Sequence, residues 1–415
     1  MNNSNVQVQL ADVAEIIMGQ SPKGETYNKI GEGVPLLNGP SEFGQSHPTP
    51  ALWTNAPTRL CKEGDLLFCV RGSTTGRMNW ADREYCLGRG VSAFRSKTGN
   101  IDTRFIYYSL IFELRRLLSL SAGSVFPNLS RQDFERFTIN WPEKYTRSAI
   151  ASILGALDDK IELNRKINET IDVMARAIFK SWFVDFEPIP GLGPHKEWQD
   201  SPLGRSPKGW KVESIRDIAE LYRDTINPSD FPEEVYEYFS IPAFDGGQMP
   251  THDLGATIKS NKFILPEYCV LISKLNPRIP RVWFVNSNRK SRAVASTEFL
   301  VLVAKPPYSN EFLYSLCNSE IFQENFISLV TGTSSSHQRV QPSDLLSMRT
   351  IRSSDEMLDK FKRKVFSLFQ LIRSNKNQSH TLAAIRNVLM PKLLSGEIRV
   401  KNAERFMENI RSKTV

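Results

Sequence analysis

Cysteine is scarce in this chain of 415 residues, and the five cysteines form no C-x-x-C pair. The five histidines are scattered as well. An odd number of isolated cysteines argues against a disulfide framework and against a zinc site, and it fits a reducing, cytosolic compartment. No run of about 18 apolar residues occurs, so we expect no membrane span. The N-terminus has no basic segment followed by an apolar one, so we expect no signal peptide.

Sequence patterns of known catalytic sites are also missing. Lys305-Pro-Pro-Tyr308 resembles a loop of adenine methyltransferases in which the first side chain accepts a hydrogen bond from the target base, but Lys305 can only donate. Phe244-Asp-Gly-Gly247 resembles a glycine-rich cofactor loop, without the strand–loop–helix unit that such a loop needs. No nuclease-like cluster and no catalytic triad is recognisable. These absences favour a binding role.

The composition describes an ordinary globular protein with a small excess of basic charge. Apolar residues make up 40% of the chain and charged residues 24%, which is enough to build real cores. Lys and Arg number 53 against 45 Asp and Glu, a formal net charge of +8. This excess favours a polyanionic partner, of which nucleic acid is the commonest. By charge alone, a basic protein without such a partner is equally compatible.

An internal repeat runs through the whole chain. In chain order, the matches are residues 10–16 with 215–221, Tyr108-Ser-Leu110 with Tyr314-Ser-Leu316, and Asp133-Phe134 with Asp344-Leu345. Their offset grows from 205 residues, between Asp12 and Asp217, to 211 residues at the last match. The collinear order makes chance an inadequate explanation, and the drift indicates short loop insertions in the second copy.

Each copy begins with a segment that mixes strands and helix. Amphipathic stretches at 103–120 and 309–329 predict helices, and Gly123 and Gly332 follow them at positions suited to a C-cap. Strands are predicted at 65–70, 90–94, 269–273, 281–285 and 299–304. We therefore expect an α+β domain of about 140 residues in each copy.

Each copy ends in a long stretch with a heptad seam, which in the first copy runs from 147 to about 184 with Gly155 as its one helix breaker. The first seam comprises Ile150, Leu154, Leu157, Ile161, Asn164, Asn168, Ile171, Ala175, Ile178 and Trp182. An offset of 211 residues gives the second seam: Phe361, Val365, Leu368, Ile372, Asn375, Ser379, Leu382, Arg386, Leu389 and Leu393.

These seams predict two helices of about 37 residues, roughly 55 Å long. Such helices are too long for an ordinary domain, and their matching seams predict an antiparallel, coiled-coil-like pair with a pseudo-twofold axis. Asn164 and Asn375 lie in the middle of the seams, where a polar residue fixes register at some cost in stability. The alternative is that each helix packs separately on its own domain.

Two basic loops in each copy are candidates for contact with nucleic acid. One follows a matched strand, Arg71-Gly-Ser-Thr-Thr-Gly-Arg77 in the first copy and residues 274–281 in the second. It lacks the G-x-x-x-x-G-K-[ST] pattern of a P-loop. The other covers 121–131 and 331–339, where small polar residues precede basic ones. The candidate contacts are Arg71, Ser73, Arg77, Arg131, Lys274, Arg278, Arg281, His337 and Arg339. Ordinary surface loops with solvated charges are the alternative.

The long helices carry a family resemblance. Residues 147–164 together with 177–187 resemble the central conserved helix of the specificity (S) subunit of type I restriction-modification enzymes. Leu389-Met-Pro-Lys-Leu-Leu-Ser-Gly-Glu-Ile398 resembles the C-terminal counterpart of that helix. Residues 10–21 and Pro207-Lys-Gly-Trp210 are also typical, and the resemblance extends from Leu10 to about Val400.

The resemblance implies a division of labour. Each globular unit would be a target recognition domain for one half of a bipartite, asymmetric site in double-stranded DNA. The helices would fix the gap between the half-sites and dock methyltransferase subunits, usually two, with restriction subunits joining the full enzyme. S-adenosylmethionine, ATP and magnesium would belong to those partners, and this cytoplasmic chain would be non-catalytic. The base-contacting residues vary within the family, so the candidate contacts above come only from charge and loop position.

The implied domain organisation is a target recognition domain at 1–142, a spacer helix at 143–186, a Pro- and Gly-rich linker at 187–210, a second target recognition domain at 211–352, a second spacer helix at 353–399 and a charged tail at 400–415. Two rival functions remain open at this point. One is a self-contained DNA methyltransferase or nuclease, and the other is a scaffold that binds only protein.

Overall fold

A computed structural model describes residues 6–121, 128–189, 191, 193–287, 291–330 and 338–400. The chain forms two compact units. Unit 1 comprises Met1–Leu163 with Gln378–Val415, and unit 2 comprises Asn164–Asn377. Both divisions fall inside a long helix, so each unit combines a mixed α/β domain with part of each long helix. The predicted α+β class is confirmed.

Unit 1 is built from short strands, four helices and the first part of a long helix. In chain order these are β1 (Gln7–Gln9), α1 (Leu10–Val13), β2 (Ala14–Met18), β3 (Tyr27–Asn28), β4 (Val34–Leu37), β5 (Leu52–Thr54), β6 (Leu60–Cys61), β7 (Leu66–Cys69), β8 (Met78–Trp80), β9 (Tyr85–Leu87), β10 (Val91–Ser96), α2 (Asn100–Phe112), α3 (Leu114–Ser119), α4 (Arg131–Arg136), β11 (Thr138–Asn140) and α5 (Lys144–Phe183).

Unit 2 follows the same plan and contains the start of the second long helix. Its elements are β12 (Trp198–Ser201), β13 (Gly204–Pro207), β14 (Lys211–Ser214), α6 (Ile215–Ile218), β15 (Ala219–Tyr222), β16 (Thr225–Ile226), β17 (Val235–Phe239), α7 (Ile241–Asp245), β18 (Thr251–Leu254), β19 (Lys262–Ile264), β20 (Tyr268–Ser273), β21 (Val282–Asn286), β22 (Arg292–Ala295), β23 (Phe299–Ala304), α8 (Asn310–Cys317), α9 (Glu320–Ser328), α10 (Pro342–Ser347), β24 (Arg349–Arg352) and α11 (Asp355–Leu394).

The central sheet has the same strand order in both units. Unit 1 has the order β2-β10-β7-β8 and unit 2 the order β15-β23-β20-β21, with every neighbouring pair antiparallel. β7 and β20 are almost continuously apolar and buried, as expected for strands covered on both faces. In unit 1 the core on one face joins Phe68, Phe94 and Phe134, whose ring centroids lie 5.0–5.9 Å apart.

A second sheet shows how the two copies diverged. The orders β6-β9-β4-β5 and β19-β22-β17-β18 correspond, and each has one parallel pair in its centre. The fifth strand differs, because β3 pairs with β5 whereas β16 pairs with β19. β3 and β16, which follow β2 and β15 in the chain, therefore join opposite edges of the second sheet.

The sequence match near the start of each copy marks a shared local structure. A helical turn, α1 or α6, leads directly into the first strand of the central sheet. In unit 2 the Asp217 carboxylate accepts hydrogen bonds from the backbone nitrogen and the hydroxyl of Ser214, at 2.8 and 2.6 Å. Leu10 and Ile215, the first residues of the two turns, are fully buried. The buried first residue thus anchors the entry into each domain, and in unit 2 Asp217 also caps the turn.

The long helices α5 and α11 each span 40 residues. In unit 1 the start of α5 meets the end of α11, where Leu154 joins Leu389 and Leu393 in one apolar cluster. In unit 2 the end of α5 meets the start of α11, where the rings of Phe179 and Phe361 pack edge to face. This pairing confirms the predicted antiparallel arrangement.

Asparagines occupy the middle of the helix pair in unit 2. Asn164 donates from Nδ2 to the backbone oxygen of Asn375 at 3.4 Å, and Asn375 donates from Nδ2 to Oδ1 of Asn168 at 2.9 Å. Asn164 and Asn375 are buried. Among the other seam positions, Ile150, Leu154, Ile171, Phe361, Val365 and Leu389 are buried, and Leu157, Ile161, Ile178, Leu368, Ile372 and Leu382 are half-buried.

The stretches predicted as single helices are each divided in two. The 103–120 stretch forms α2 and α3, which separate at Glu113. The 309–329 stretch forms α8 and α9, because the Ser319 side chain accepts a hydrogen bond from the backbone nitrogen of Phe322 and starts a new helix. Gly123, Gly332 and the charged tail beyond residue 400 lie outside the described residues.

The Pro- and Gly-rich segment between the copies contains local structure of its own. β12 and β13 form an antiparallel hairpin, and Ile189 is 3% exposed within the apolar core of unit 2. Trp210 contacts Phe186 and His195 edge to face, at 5.3 and 5.5 Å. The segment is therefore anchored to unit 2 by aromatic contacts. None of the helices in the described part of the chain is long and apolar enough to cross a membrane.

Candidate nucleic-acid interface

The two candidate loops of each copy meet in the same way. In unit 1 the backbone nitrogen of Leu129 donates to the oxygen of Val70 at 3.0 Å. In unit 2 the nitrogen of Val340 donates to the oxygen of Lys274 at 3.1 Å. Isolated bridges flank both contacts, Arg71 with Asn128 and Leu275 with Arg339. Loops that lie more than 50 residues apart in sequence therefore form one corner in each unit.

The first loop of unit 1 is a tight turn between β7 and β8. The backbone nitrogen of Cys69 donates to Arg77 and that of Gly76 donates back to Cys69, at 2.8 and 2.9 Å. Gly72 and Gly76 have φ values of 87° and 96°, a region that strongly favours glycine. A Cβ on Gly76 would lie 3.0 Å from Leu114. The glycines are thus explained by the turn itself.

Within the described residues, Arg77 of the unit 1 corner has no carboxylate partner that would neutralise its charge. Arg71, Ser73 and Arg77 are exposed. The Arg77 guanidinium donates to the backbone oxygens of Pro40 and Phe43, at 3.0 and 2.7 Å. Carbonyl partners fix the orientation of the guanidinium without removing its charge. Arg131, in the first turn of α4, is exposed and pairs with Glu135 at 2.6 Å.

Two arginines of the unit 2 corner have carboxylate partners. The Arg281 side chain is only 9% exposed, and its Nε and Nη2 donate to the two oxygens of Asp245 at 2.7 and 2.9 Å. Arg339 donates from Nε and Nη2 to the two oxygens of Glu298, both at 3.1 Å, and its side chain remains 40% exposed. Bidentate pairs of this kind fix a guanidinium in orientation as well as position.

The remaining unit 2 candidates are spread around this corner. Lys274 is half-buried and Arg278 is exposed. His337 lies outside the described residues. The acidic partners Asp245 and Glu298 were missed by the sequence analysis, because they lie 36 and 41 residues from the arginines that they hold.

The segment that resembles a methyltransferase loop forms a structural turn before α8. The Lys305 ammonium donates to the backbone oxygen of Arg216 at 2.7 Å. The Tyr308 hydroxyl donates to Glu213 at 2.8 Å, and burial raises the pKa of this phenol, with Glu213 adding to the effect. Both side chains serve to hold the turn against the entry of the domain. Among the described residues, no group of three or more His, Cys, Asp or Glu is placed to hold a metal ion.

Polar contacts fasten the unit 1 domain to α5. The Arg147 guanidinium donates to both oxygens of Asp102 at 3.1 and 3.0 Å and lies over the Trp141 ring at 4.2 Å. The Tyr108 hydroxyl donates to Asp158 at 2.6 Å. These residues fix the helix to the domain from which the candidate loops project.

Comparison with known proteins matches residues 3–173 to the family described as "Type I restriction modification DNA specificity domain". A putative specificity subunit of the type I restriction enzyme MjaX from Methanocaldococcus jannaschii is 39% identical over 164 residues, which cover 40% of this chain and 38% of that protein. The MjaIX specificity subunit from the same organism is 23% identical over 424 residues, covering 95% of this chain and 93% of that protein.

A solved structure shares the fold. The type I restriction-modification S subunit from M. genitalium aligns with a TM-score of 0.53 and 16% identity, over 95% of this chain and 97% of that one. The family match covers the first copy, and the relative of nearly equal length covers both. Residues 3–173 therefore match the DNA specificity domain of type I restriction-modification systems, and the chain as a whole is similar to the specificity subunits of those systems.

Proposed function

We propose that this chain supplies the DNA address of a type I restriction-modification complex in the cytoplasm, with each unit recognising one half of a bipartite, asymmetric site. The observation that carries the proposal is the shared corner with different side chains. Both units build it from the same backbone hydrogen bonds. In unit 1 the Arg77 guanidinium donates to backbone carbonyls, whereas in unit 2 Arg281 and Arg339 donate to carboxylates. One scaffold that presents two different sets of donors is suited to two different base sequences.

The two long helices would set the distance between the half-sites. Half-site spacing follows from protein geometry when two recognition elements are joined. The buried asparagines at the middle of the pair support this role, since a polar seam residue selects one register over its neighbours. The domain organisation inferred from the sequence, with target recognition domains at 1–142 and 211–352, is part of the same proposal.

Partner subunits would carry out the chemistry. Methyltransferase subunits, usually two, would dock on the helices and bring S-adenosylmethionine, and restriction subunits would bring ATP and magnesium. Exposed apolar side chains on the helices support such docking, since Val173 and Phe366 are 57% and 48% exposed and surfaces of this kind favour protein contact.

Methylome sequencing tests the proposal. A strain that carries this gene with its partner genes should show a methylated motif with two specified segments separated by a fixed unspecified gap. A strain that lacks only this gene should lose that motif. A continuous motif, or methylation that persists without the gene, would contradict the proposal. Methyl transfer to DNA by the purified chain alone would contradict a non-catalytic role.

A further inference from the structure

The pair formed by Glu298 and Arg339 lies where the two candidate loops of unit 2 meet. The backbone nitrogen of Lys274 donates to the oxygen of Glu298 at 2.9 Å, and the nitrogen of Val340 donates to the oxygen of Lys274 at 3.1 Å. Three segments that lie apart in the sequence are thus joined by backbone hydrogen bonds. The Glu298 side chain crosses this junction and accepts hydrogen bonds from the guanidinium of Arg339, the residue before Val340.

Unit 1 has the same backbone junction without the charged pair. There the nitrogen of Val70 donates to the oxygen of Gly90, and the nitrogen of Leu129 donates to the oxygen of Val70, both at 3.0 Å. Gly90 and Asn128 therefore occupy the positions that Glu298 and Arg339 occupy in unit 2. Because the backbone bonds form without the ion pair in unit 1, the scaffold does not require it. The pair is a feature of the second recognition surface.

We infer that Glu298 is a positioning residue that orients Arg339 for contact with a base in the half-site recognised by unit 2. This inference rests on the proposed function. A guanidinium has five N–H donors in a rigid fork, and the two-point contact with Glu298 engages it through Nε and Nη2. The side chain is 40% exposed, so it lies at the surface while its orientation is restricted.

An orientation fixed before binding favours base recognition over general attraction to phosphate. Ordering a long side chain on binding costs free energy, and a side chain that is already held avoids much of that cost. Arginine that donates two hydrogen bonds to guanine is the commonest specific contact in the major groove. The neighbouring carboxylate also lowers the net charge of the corner, which weakens attraction to any phosphate regardless of sequence.

The test uses the full chain expressed with its partner subunits, and the readout is the methylated motif. We compare Arg339→Ala, Glu298→Gln and Glu298→Asp. Arg339→Ala and Glu298→Gln should relax the same single base position in one half-site, with discrimination falling roughly tenfold. Glu298→Asp should restore part of that discrimination because it retains the carboxylate. The other half-site and the gap should stay unchanged.

Glu197→Gln provides the matched control. Glu197 pairs with Lys208 in the β12–β13 hairpin of the same unit, at 2.6 Å, and both side chains are largely exposed. This variant makes the same Glu-to-Gln change in an ion pair outside the candidate loops and the long helices, so the motif should remain that of the wild type.

Three outcomes would overturn the inference while leaving the proposed function intact. The first is a relaxed base position in Arg339→Ala with full discrimination in Glu298→Gln. The second is a uniform loss of methylation at every site without any change in base preference, which indicates a structural role. The third is an unchanged motif in both variants. A wild-type complex that yields no bipartite motif instead removes the proposed function, and the inference with it.

Discussion

Tyr108 donates a hydrogen bond from its hydroxyl to Oδ2 of Asp158 at 2.6 Å, and its counterpart Tyr314 donates to Oδ1 of Asp172 at 2.7 Å. Both acceptors belong to α5, although the tyrosines belong to different copies. Asp158 also accepts from Arg386 of α11 at 2.5 Å. In unit 1 this carboxylate therefore joins the recognition domain to both long helices.

Removal of the Tyr108 hydroxyl should weaken that junction. Burial raises the pKa of Tyr108, and the nearby Asp158 carboxylate adds to the effect, so the phenol stays a neutral donor at ordinary pH. A hydrogen bond to a charged group contributes about 1.5–3 kcal/mol, and Tyr108→Phe should lower the free energy of unfolding of unit 1 by about that amount. Urea unfolding would measure the loss.

Tyr107→Phe is the matched control for this variant. Tyr107 is the adjacent residue, and its ring packs against that of Tyr108 at 4.9 Å. Its hydroxyl has no hydrogen-bond partner within the described ranges. The control should leave the unfolding midpoint close to that of the wild type. Equal losses in the two variants would show that the hydrogen bond from Tyr108 to Asp158 does not hold the junction.

Gly155 is the one glycine inside α5, and Arg104 explains it. The Arg104 guanidinium crosses over Gly155 to donate to both oxygens of Asp159 at 2.8 Å. A Cβ on Gly155 would lie 2.5 Å from Nη1 of Arg104. Alanine inside a helix is favoured over glycine by about 1 kcal/mol. Glycine at position 155 therefore lowers helix stability but leaves room for the Arg104 side chain to cross the helix.

A double-mutant cycle tests that exchange. In the wild-type background Gly155→Ala should give little net stabilisation, because the new methyl group displaces Arg104. In the Arg104→Ala background the same change should stabilise unit 1 by about 1 kcal/mol. The difference between the two values, expected at about 0.5–1 kcal/mol, is the coupling. Thermal unfolding that shows identical effects in both backgrounds would contradict the steric explanation.

The buried pair of Asp102 and Arg147 should make unit 1 sensitive to acid. Burial acts to raise the pKa of Asp102, but hydrogen bonds from Arg147 and Thr98 outweigh it, so the net pKa lies below its ordinary value. A carboxyl group with a lowered pKa in the folded state stabilises the fold above its unfolded pKa of about 3.9, and this stability is lost as the pH falls through the folded value.

The melting temperature of unit 1 should therefore be insensitive to this group at neutral pH and fall below about pH 4. Asp102→Asn should flatten the acid limb. At neutral pH it should also lower stability by about 3–5 kcal/mol, because it leaves Arg147 buried without its partner charge. This difference from the wild type should shrink as the pH falls and Asp102 itself becomes protonated. An unchanged acid limb in Asp102→Asn would show that other carboxyl groups cause the transition.

The fold was largely predictable from the sequence because its signals are local. The heptad spacing of Leu154 and Leu389 lies within single helices, and buried strands such as β20 are continuous apolar runs. The edge that the fifth strand joins was not predictable, since β3 and β16 have only two residues each and carry no pattern that fixes their partners. The pairing of Arg147 with Asp102 was not predictable either. The two residues lie 45 positions apart, and no local sequence pattern around one indicates the other as its partner.

The candidate site was predictable only as far as its loops. The basic and turn residues in the sequence pointed to the loops that form the corner. Whether an arginine there can contact DNA depends on the groups that already bind its guanidinium. Arg281 and Arg77 had identical support in the sequence. In the structure Arg281 is held by the Asp245 carboxylate and Arg77 by backbone carbonyls, and this difference gives the two arginines different expected roles.

Salt dependence of DNA binding separates those roles. Each phosphate contact contributes about 0.9 to the slope of log affinity against log salt concentration. Arg71→Ala and Arg77→Ala should each weaken binding of the assembled complex to DNA and reduce that slope by about 1, because both arginines are exposed in the unit 1 corner. Arg281→Ala should leave the slope unchanged, because its side chain is 9% exposed and already neutralised by Asp245. Instead it should destabilise unit 2, since Asp245 loses its partner.

Fluorescence anisotropy over a salt series, with thermal unfolding of the same variants, measures both effects. If Ala at Arg71 and Arg77 leaves both affinity and slope unchanged, the turn loop of unit 1 does not contact DNA. A reduced slope for Arg281→Ala would mean that DNA displaces Asp245 from the guanidinium on binding.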